Sequence, residues 1–293
     1  MGILLGLATA LCWGSADLFA RFATRKIGTV HTMLYMQLTG LALLTLAMRA
    51  LGGWGHLADG SGWRPWAWGG LAGVLNTSST LALYRSFEIG KLSVVAPLSA
   101  SYPALTMLLA ALTGERLTLL RFAGIALTIV GVVVVARGEE NPDDANLEEK
   151  TSHGMGMLGV GWALFSAAGF GVMFWLLGMR VVPLLGSAPS VWLIRLASVV
   201  MTTGVVLILR QPFALPRARA NRWVVGVGIL DTSAYLLNNY GMQREQVSVV
   251  SVLASMYGAV TVALAAIFLR EHISRAQWIG VVSIFAGIFL ISR

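Results

Sequence analysis

Ten stretches of about 20 mostly apolar residues follow one another along this chain, at roughly 3–22, 30–50, 66–86, 92–113, 118–136, 155–178, 187–209, 223–243, 247–269 and 275–292. A helix needs about 20 such residues to cross the hydrocarbon core of a bilayer. Backbone polar groups in lipid must be satisfied internally, which permits helices or closed barrels, and these runs are continuous rather than alternating. They predict an all-α integral membrane protein with ten transmembrane helices. Composition leaves little room for a soluble alternative. With 57% hydrophobic and 12% charged residues, against roughly 25% charged in ordinary soluble domains, the chain has too few polar groups to cover a water-soluble globule. Trp54, Trp63, Trp66, Trp68, Trp223 and Trp278 fall at span ends, where an indole anchors at the headgroup level.

The chain also repeats itself. An offset of about 155 residues, with one inserted residue, lays Ser93–Arg137 over Ser248–Arg293. The overlay pairs Tyr102 with Tyr257, Glu115 with Glu271, Gly124 with Gly280 and Gly131 with Gly287. Two repeats of five spans follow, residues 1–137 and 155–293. The acidic segment 138–154 between them lacks apolar periodicity and reads as a solvated linker loop. Five is odd, so the second repeat enters the membrane from the opposite side, and the repeats are inverted. Inverted repeats recur in transporters, because two equivalent halves can exchange conformations and expose a midplane site to either side in turn. A duplicated scaffold without transport satisfies the same pattern.

Ionisable groups at membrane depth are costly and mark candidate functional positions. Asp17, Arg195 and Asp231 stand inside spans. The offset lays Asn76, Thr77 and Ser78 of the third span over Asp231, Thr232 and Ser233 of the eighth, which predicts two polar patches on one central cavity. Arg195 lies too deep in the seventh span for easy snorkelling, and an ion pair with Asp231 would neutralise both charges. Gln37 falls near the matching place in the second span. Asp17 either pairs with Arg21 at i,i+4 or lines the cavity. Tyr235 and Asn238, at i,i+3, extend the polar face that holds Asp231.

In the fourth span Pro97 interrupts the helical ladder and Pro103 follows Tyr102. Freed carbonyls and the hydroxyls of Ser99, Ser101 and Tyr102 thereby become cavity candidates. The ninth span supplies Ser251, Ser255 and Tyr257, with Val252 and Gly258 where the fourth has prolines. Close helix packing is the competing explanation for each of these serines. Trp162, Phe165 and Gly169 share a face of the sixth helix, spaced to wall a pocket for an apolar or aromatic group or simply to pack.

The four histidines lie far apart and Cys12 is the single cysteine, so neither a metal site nor a disulfide is expected, and no cofactor motif is present. No span serine stands in a catalytic setting with a histidine base, which argues against an integral membrane enzyme. The net charge of +8 comes from scattered basic residues rather than a stripe, so nucleic acid is not an expected partner. The partners left are the lipid bilayer and a small-molecule substrate, with monomer and homodimer both open.

Trp13-Gly14-Ser15 near the start of the first span, Gly114-Glu115-Arg116-Leu117-Thr118 after the fourth, the glycines of the next span and their echoes in the second half resemble the drug/metabolite transporter superfamily in its ten-helix EamA branch. The resemblance covers almost the whole chain. It implies a carrier of small metabolites in a bacterial inner (plasma) membrane, with a cavity built from the third, fourth, eighth and ninth spans. The general pattern is most like an amino-acid exporter, aromatic amino acids included; other metabolite or drug classes occur in the same fold. The family's arginine in the second helix of each repeat is matched only at Arg195, since the first half has Gln37. A zwitterionic amino acid would suit the polar map, with Asp231 or nearby carbonyls receiving an ammonium, Arg195 or hydroxyl donors a carboxylate, and the aromatic wall a variable side chain. Lys and Arg are denser in the loops after odd-numbered spans, which places both termini outside, whereas the resemblance implies cytoplasmic termini.

Overall fold

The computed structural model describes residues 2–51, 62–113, 118–137, 147–213, 218–242, 253–271 and 273–291. Among them the chain is helical, without strands, and forms ten spans. The first three are single helices, α1 (Gly2–Ile27), α2 (Thr29–Leu51) and α3 (Arg64–Ile89). The fourth is broken into α4 (Leu92–Ala100) and α5 (Tyr102–Leu112), and the fifth is α6 (Leu119–Arg137). The sixth joins α7 (Leu147–Leu176) through a π turn at Leu177–Val181 to α8 (Val182–Leu185). The seventh and eighth are α9 (Ser187–Ile208) and α10 (Ala218–Met242). The ninth contains α11 (Tyr257–Leu264) and a π turn at Ala265–Leu269, and the tenth is α12 (Arg275–Ile291).

Two boundaries differ from the sequence expectation. Helix α7 begins at Leu147, inside the stretch read as linker loop, because Leu147 to Lys150 are good helix formers despite their polarity. The sixth span continues to Leu185 because the π turn before Pro183 accommodates a residue that has no N–H to give the ladder. Ser251 lies outside the described residues.

Packing follows the duplication. Exchange of the repeats maps α1 onto α7, α2 onto α9, α3 onto α10, α5 onto α11 and α6 onto α12. The helix pairs obey it: α1 lies on α10 as α7 lies on α3, and α2 lies on α10 as α9 lies on α3. Two pairs map onto themselves and mark the twofold axis: α2 with α9, and α6 with α12.

Glycines set the closest of these crossings. A Cβ on Gly131 would stand 2.7 Å from the Gly280 carbonyl oxygen, and one on Gly124 would stand 2.7 Å from that of Gly287. The converse distances are 2.9 and 2.6 Å. The repeat exchange turns one contact into the other, so a duplicated pair of glycines packs α6 backbone to backbone on α12. Lipid is as apolar as leucine and gives helices no hydrophobic reason to associate, so close van der Waals approach over small residues does the work instead.

The fourth-span break falls at Ser101, while Pro97 stays inside α4. The ninth span breaks at Met256, the matching place, with the same turn: Ser101 N donates to Leu98 O and Met256 N to Leu253 O. Pro103 accounts for the first break; its counterpart Gly258 marks the second, where a Cβ would meet Ala100 at 2.9 Å and Phe285 at 3.1 Å.

Four helical segments are long and apolar enough to cross a membrane by length and composition, Thr29–Ala50, Leu92–Leu109, Gly156–Leu185 and Ser187–Ile208. Leu119–Val135, Leu253–Leu269 and Arg275–Ile291 are apolar but shorter. The other three, α1, α3 and α10, are 26, 26 and 25 residues long and are diluted by polar side chains. Those are the helices that carry polarity inward.

Candidate functional site

Helices α1, α3 and α10 meet α2, α5, α7, α9 and α11 around a central cavity, with about 560 Å³ of space between atoms when its open side is counted. From the polar helices come Asp17, Asn76, Thr80 and Asp231, and Arg195 enters from α9. Aromatic rings supply most of the remaining wall: Trp13, Tyr84, Tyr102, Phe170, Phe174, Tyr235 and Tyr257.

The polar groups are paired in a definite order. Arg195, 1% exposed, forms an ion pair with Asp231 through Nη2 and Oδ2. Its Nη1 donates to Gln37 Oε1 at 2.7 Å and lies 3.9 Å from the Met36 sulfur. The guanidinium sits 5.0 Å from the centroid of the Tyr235 ring, a cation–π distance. Gly40 makes the room, since a Cβ there would meet Arg195 Nε at 3.2 Å. Asp231 Oδ1 accepts from Trp13 Nε1 at 3.1 Å. Both carboxylate oxygens of Asp231 and both Nη atoms of Arg195 are therefore engaged within the protein. A cargo would therefore meet Asp231 and Arg195 already bonded to each other and to Trp13 and Gln37, the ion pair expected from the sequence.

Gln37 and Arg195 occupy corresponding places in α2 and α9, which cross at the twofold axis. Two arginines there would face each other in low dielectric; an amide instead provides the acceptor. Asn76, the counterpart of Asp231, accepts from Tyr235 OH at 3.4 Å and donates to Ser198 Oγ at 3.3 Å.

Asp17 is 7% exposed and does not pair with Arg21. Its Oδ2 lies 2.9 Å from the Thr261 hydroxyl. Arg21 turns the other way into a buried clasp. It donates through Nη1 to the carbonyls of Phe87 and Gly90, the latter at 2.6 Å, and lies 3.6 Å from Glu271. Glu271 in turn accepts from the Leu92 and Ser93 amides, at 3.2 and 2.8 Å, where a carboxylate complements the N-terminal end of α4. The clasp ties the end of α1, the α3–α4 turn and the segment before α12 together, one helical turn beyond Asp17 and Tyr84. It lies between the cavity and the face that bears the α1–α2 turn.

The residue pattern of Trp13-Gly14-Ser15 now has a physical account. Trp13 is the hub of the wall, edge-on to Tyr235 and Tyr257 with centroids 5.3 and 5.9 Å apart. Gly14 lets α1 lie on α11, since a Cβ would meet Val260 at 2.6 Å and the Tyr257 carbonyl at 3.0 Å. The second repeat has no such motif, and its matching position Ala167 packs in the core instead.

The profile of the EamA-like transporter family matches residues 1–137 and 157–293. The chain belongs to the EamA-like transporter family. As such it is an integral, multi-pass membrane protein of a transporter family. A solved crystal structure superposes on 99% of this EamA chain and 95% of its own with a TM-score of 0.67 at 19% identity, a likeness of fold. An uncharacterized protein of Methanocaldococcus jannaschii is 42% identical over 57 residues, which make up 20% of this chain and 42% of that relative. The chain thus matches less than half the length of that curated relative.

Of the residues singled out from sequence, Asp17, Asn76, Tyr102, Arg195, Asp231, Tyr235 and Tyr257 line the EamA cavity, with Gln37 directly behind Arg195. Others do not. Thr77 bonds Ser198 and its own helix, and Ser78 bonds back to Val74 and Leu75. Ser99 reaches the Ala163 carbonyl and Ser101 that of Leu98. Pro97, Asn238 and Ser255 are buried off the cavity wall. Trp162 and Phe165 are 42% and 55% exposed on the outer face of α7, because in lipid a large ring has no penalty for facing outward. The inward face of α7 is Ala163, Ala167, Phe170 and Phe174. Its small residues at i,i+4, ending in two rings at the same spacing, were the available signal. Of the six tryptophans assigned to the membrane surface, Trp54 lies outside the described residues, and Trp223 packs inward on Phe19 and Phe22 at 5.1 and 4.8 Å.

Proposed function

We propose that this chain exports amino acids, aromatic ones included, across a bacterial inner membrane by alternating access, with residues 1–137 and 155–293 as the exchanging halves. One observation carries the reading. A cavity polar at Asp17 and Asn76 and walled by rings sits between the repeats, with the Arg21–Glu271 clasp between it and one face. A site shared by two inverted halves can be presented to each side by exchanging their conformations. The stacked pair Tyr102 and Phe174, 4.7 Å between centroids, offers a flat apolar wall for an aromatic side chain. Asn76, Thr80 and the tyrosine hydroxyls offer neutral groups for a carboxylate.

Counterflow tests this. Proteoliposomes loaded with unlabelled candidate solutes take up trace labelled amino acids, with Asn76→Ala and Asp231→Asn run beside the parent. Accumulation of several amino acids, lost in the folded variants, is the expected result. No accumulation of any of them by folded parent protein, with accumulation of another metabolite, would move the substrate out of this class.

A further inference from the structure

The charges around the cavity do not balance, and the excess is at one atom group. Arg195 and Asp231 neutralise each other. Arg21, the next cation along α1, is committed to Glu271 and two carbonyls. Asp17 alone faces the cavity with no cation opposite it: the ion pairs among the described residues are Arg21–Glu271, Arg85–Glu88 and Arg195–Asp231. Its one hydrogen bond comes from Thr261. A carboxylate in low dielectric without a counter-charge is expensive to maintain and calls for a partner. Tyr84, Tyr102, Phe170, Phe174 and Tyr257 line the same space, and aromatic faces attract ammonium groups at close range.

Nothing equivalent awaits an anion. The cavity's one guanidinium is buried, paired and stacked on Tyr235, so a carboxylate on the cargo meets only neutral donors. We propose that Asp17 receives the ammonium group of the cargo, and that the carboxylate is dispensable. The substrate class is then primary amines carrying an apolar or aromatic body, of which amino acids are the carboxylated members. Aryl-alkyl amines and amino-acid amides belong to it; the corresponding acids without an ammonium do not. This inference rests on the amino-acid reading above and sharpens it.

The test compares four labelled solutes in counterflow, each corrected for leakage into protein-free vesicles: phenylalanine, phenylalanine amide, phenethylamine and 3-phenylpropionate. The amide and the amine are expected to exchange at least as fast as phenylalanine, and phenylpropionate not at all. Asp17→Asn is expected to reduce exchange of the amine at least tenfold, while Asp17→Glu, which keeps the charge, retains most of it. Should Asp17→Asn fail to fold, the four-solute order in the parent decides. Exchange of phenylalanine without the amine or amide would overturn the inference and leave the amino-acid reading standing. Exchange of the amine without phenylalanine would do the reverse. Full amine exchange by folded Asp17→Asn would also overturn the assignment to Asp17, and exchange of none of the four would remove both readings.

Discussion

Arg195 is the costliest single residue in the bundle to accommodate, and each of its neighbours lowers that cost. Asp231 supplies the opposite charge, Gln37 an acceptor, Tyr235 a π face, and Gly40 the space. Removing one partner of such a pair leaves a charge in low dielectric, at a cost of about 3–5 kcal/mol. Arg195→Ala and Asp231→Ala are each expected to lower the yield of monodisperse protein and its melting temperature in detergent. The exchanged pair, Arg195→Asp with Asp231→Arg, is expected to recover part of the loss. No recovery would mean that Gln37, Met36 and Tyr235, rather than the counter-charge, hold Arg195. Trp13 calls for a different measurement. Trp13→Phe keeps the ring packing on Tyr235 and Tyr257 but removes the hydrogen bond to Asp231, so its melting temperature should fall little. If Asp231 needs that bond to stay on Arg195 and away from the cargo, amino-acid counterflow should fall several-fold; an unchanged rate would show that the Arg195 pair holds Asp231 by itself.

Among the elements, α6 and α12 show most directly what duplication does to packing. Their crossing is two symmetry-related backbone contacts through Gly124 and Gly287, Gly131 and Gly280. Adding even one methyl forces a shift of backbone, and overpacking of this kind typically costs about 1–3 kcal/mol. Gly131→Ala and Gly287→Ala should each lower the melting temperature, whereas Gly161→Ala, where nothing lies within 4 Å, should not. Because alanine is the better helix former, an equal loss in all three would point to a general effect of the detergent instead of the crossing. The paired glycines were visible in the sequence alignment, as were the ten spans, because both follow from composition and spacing along one chain. The identity of the inward face of α7 was not. In water the large rings would mark it, but a bilayer makes Trp162 and Phe165 indifferent to inside and outside, and the small residues Ala163 and Ala167 mark it instead. The serines of the fourth span misled for a related reason: a hydroxyl in a helix can satisfy itself on its own backbone, as Ser101 does on Leu98, and so need not face a cavity. Asp17 was legible as a charge inside a span and Arg21 as its possible i,i+4 partner, but their separation was not, since it depends on Thr261, Phe87 and Glu271, each more than 60 residues away in sequence.

At the level of the whole molecule the packing is twofold while the ionic contacts at its core are not, and under the alternating access proposed above that difference would favour one conformation. The first repeat has Arg21 where the second has Trp175; the first ties α1 to Glu271 and the α3–α4 turn, while Trp175 Nε1 lies 3.3 Å from the Thr113 hydroxyl. If the two halves exchange as proposed, a charged clasp on one face against an indole on the other would bias the exchange toward the state with the clasp shut. The clasp is also incompletely satisfied, because Arg21 Nε and the Ser93 hydroxyl are buried without hydrogen bonds, and a partly satisfied buried network is easier to open than a complete one. Glu271→Gln removes the charge while keeping an acceptor for the α4 amides, and is expected to shift the population toward the face that bears the α1–α2 turn. The sole native thiol, Cys12, makes this measurable in a background changed at one position. In Cys12→Ala, a cysteine placed by Thr80→Cys on the cavity wall should react with a membrane-impermeant maleimide mainly from the face opposite the clasp. Adding Glu271→Gln should raise labelling from the clasp face several-fold and lower it from the other. Labelling that stays on one face, in protein that still folds, would show that the clasp fastens the bundle without controlling which side the cavity meets.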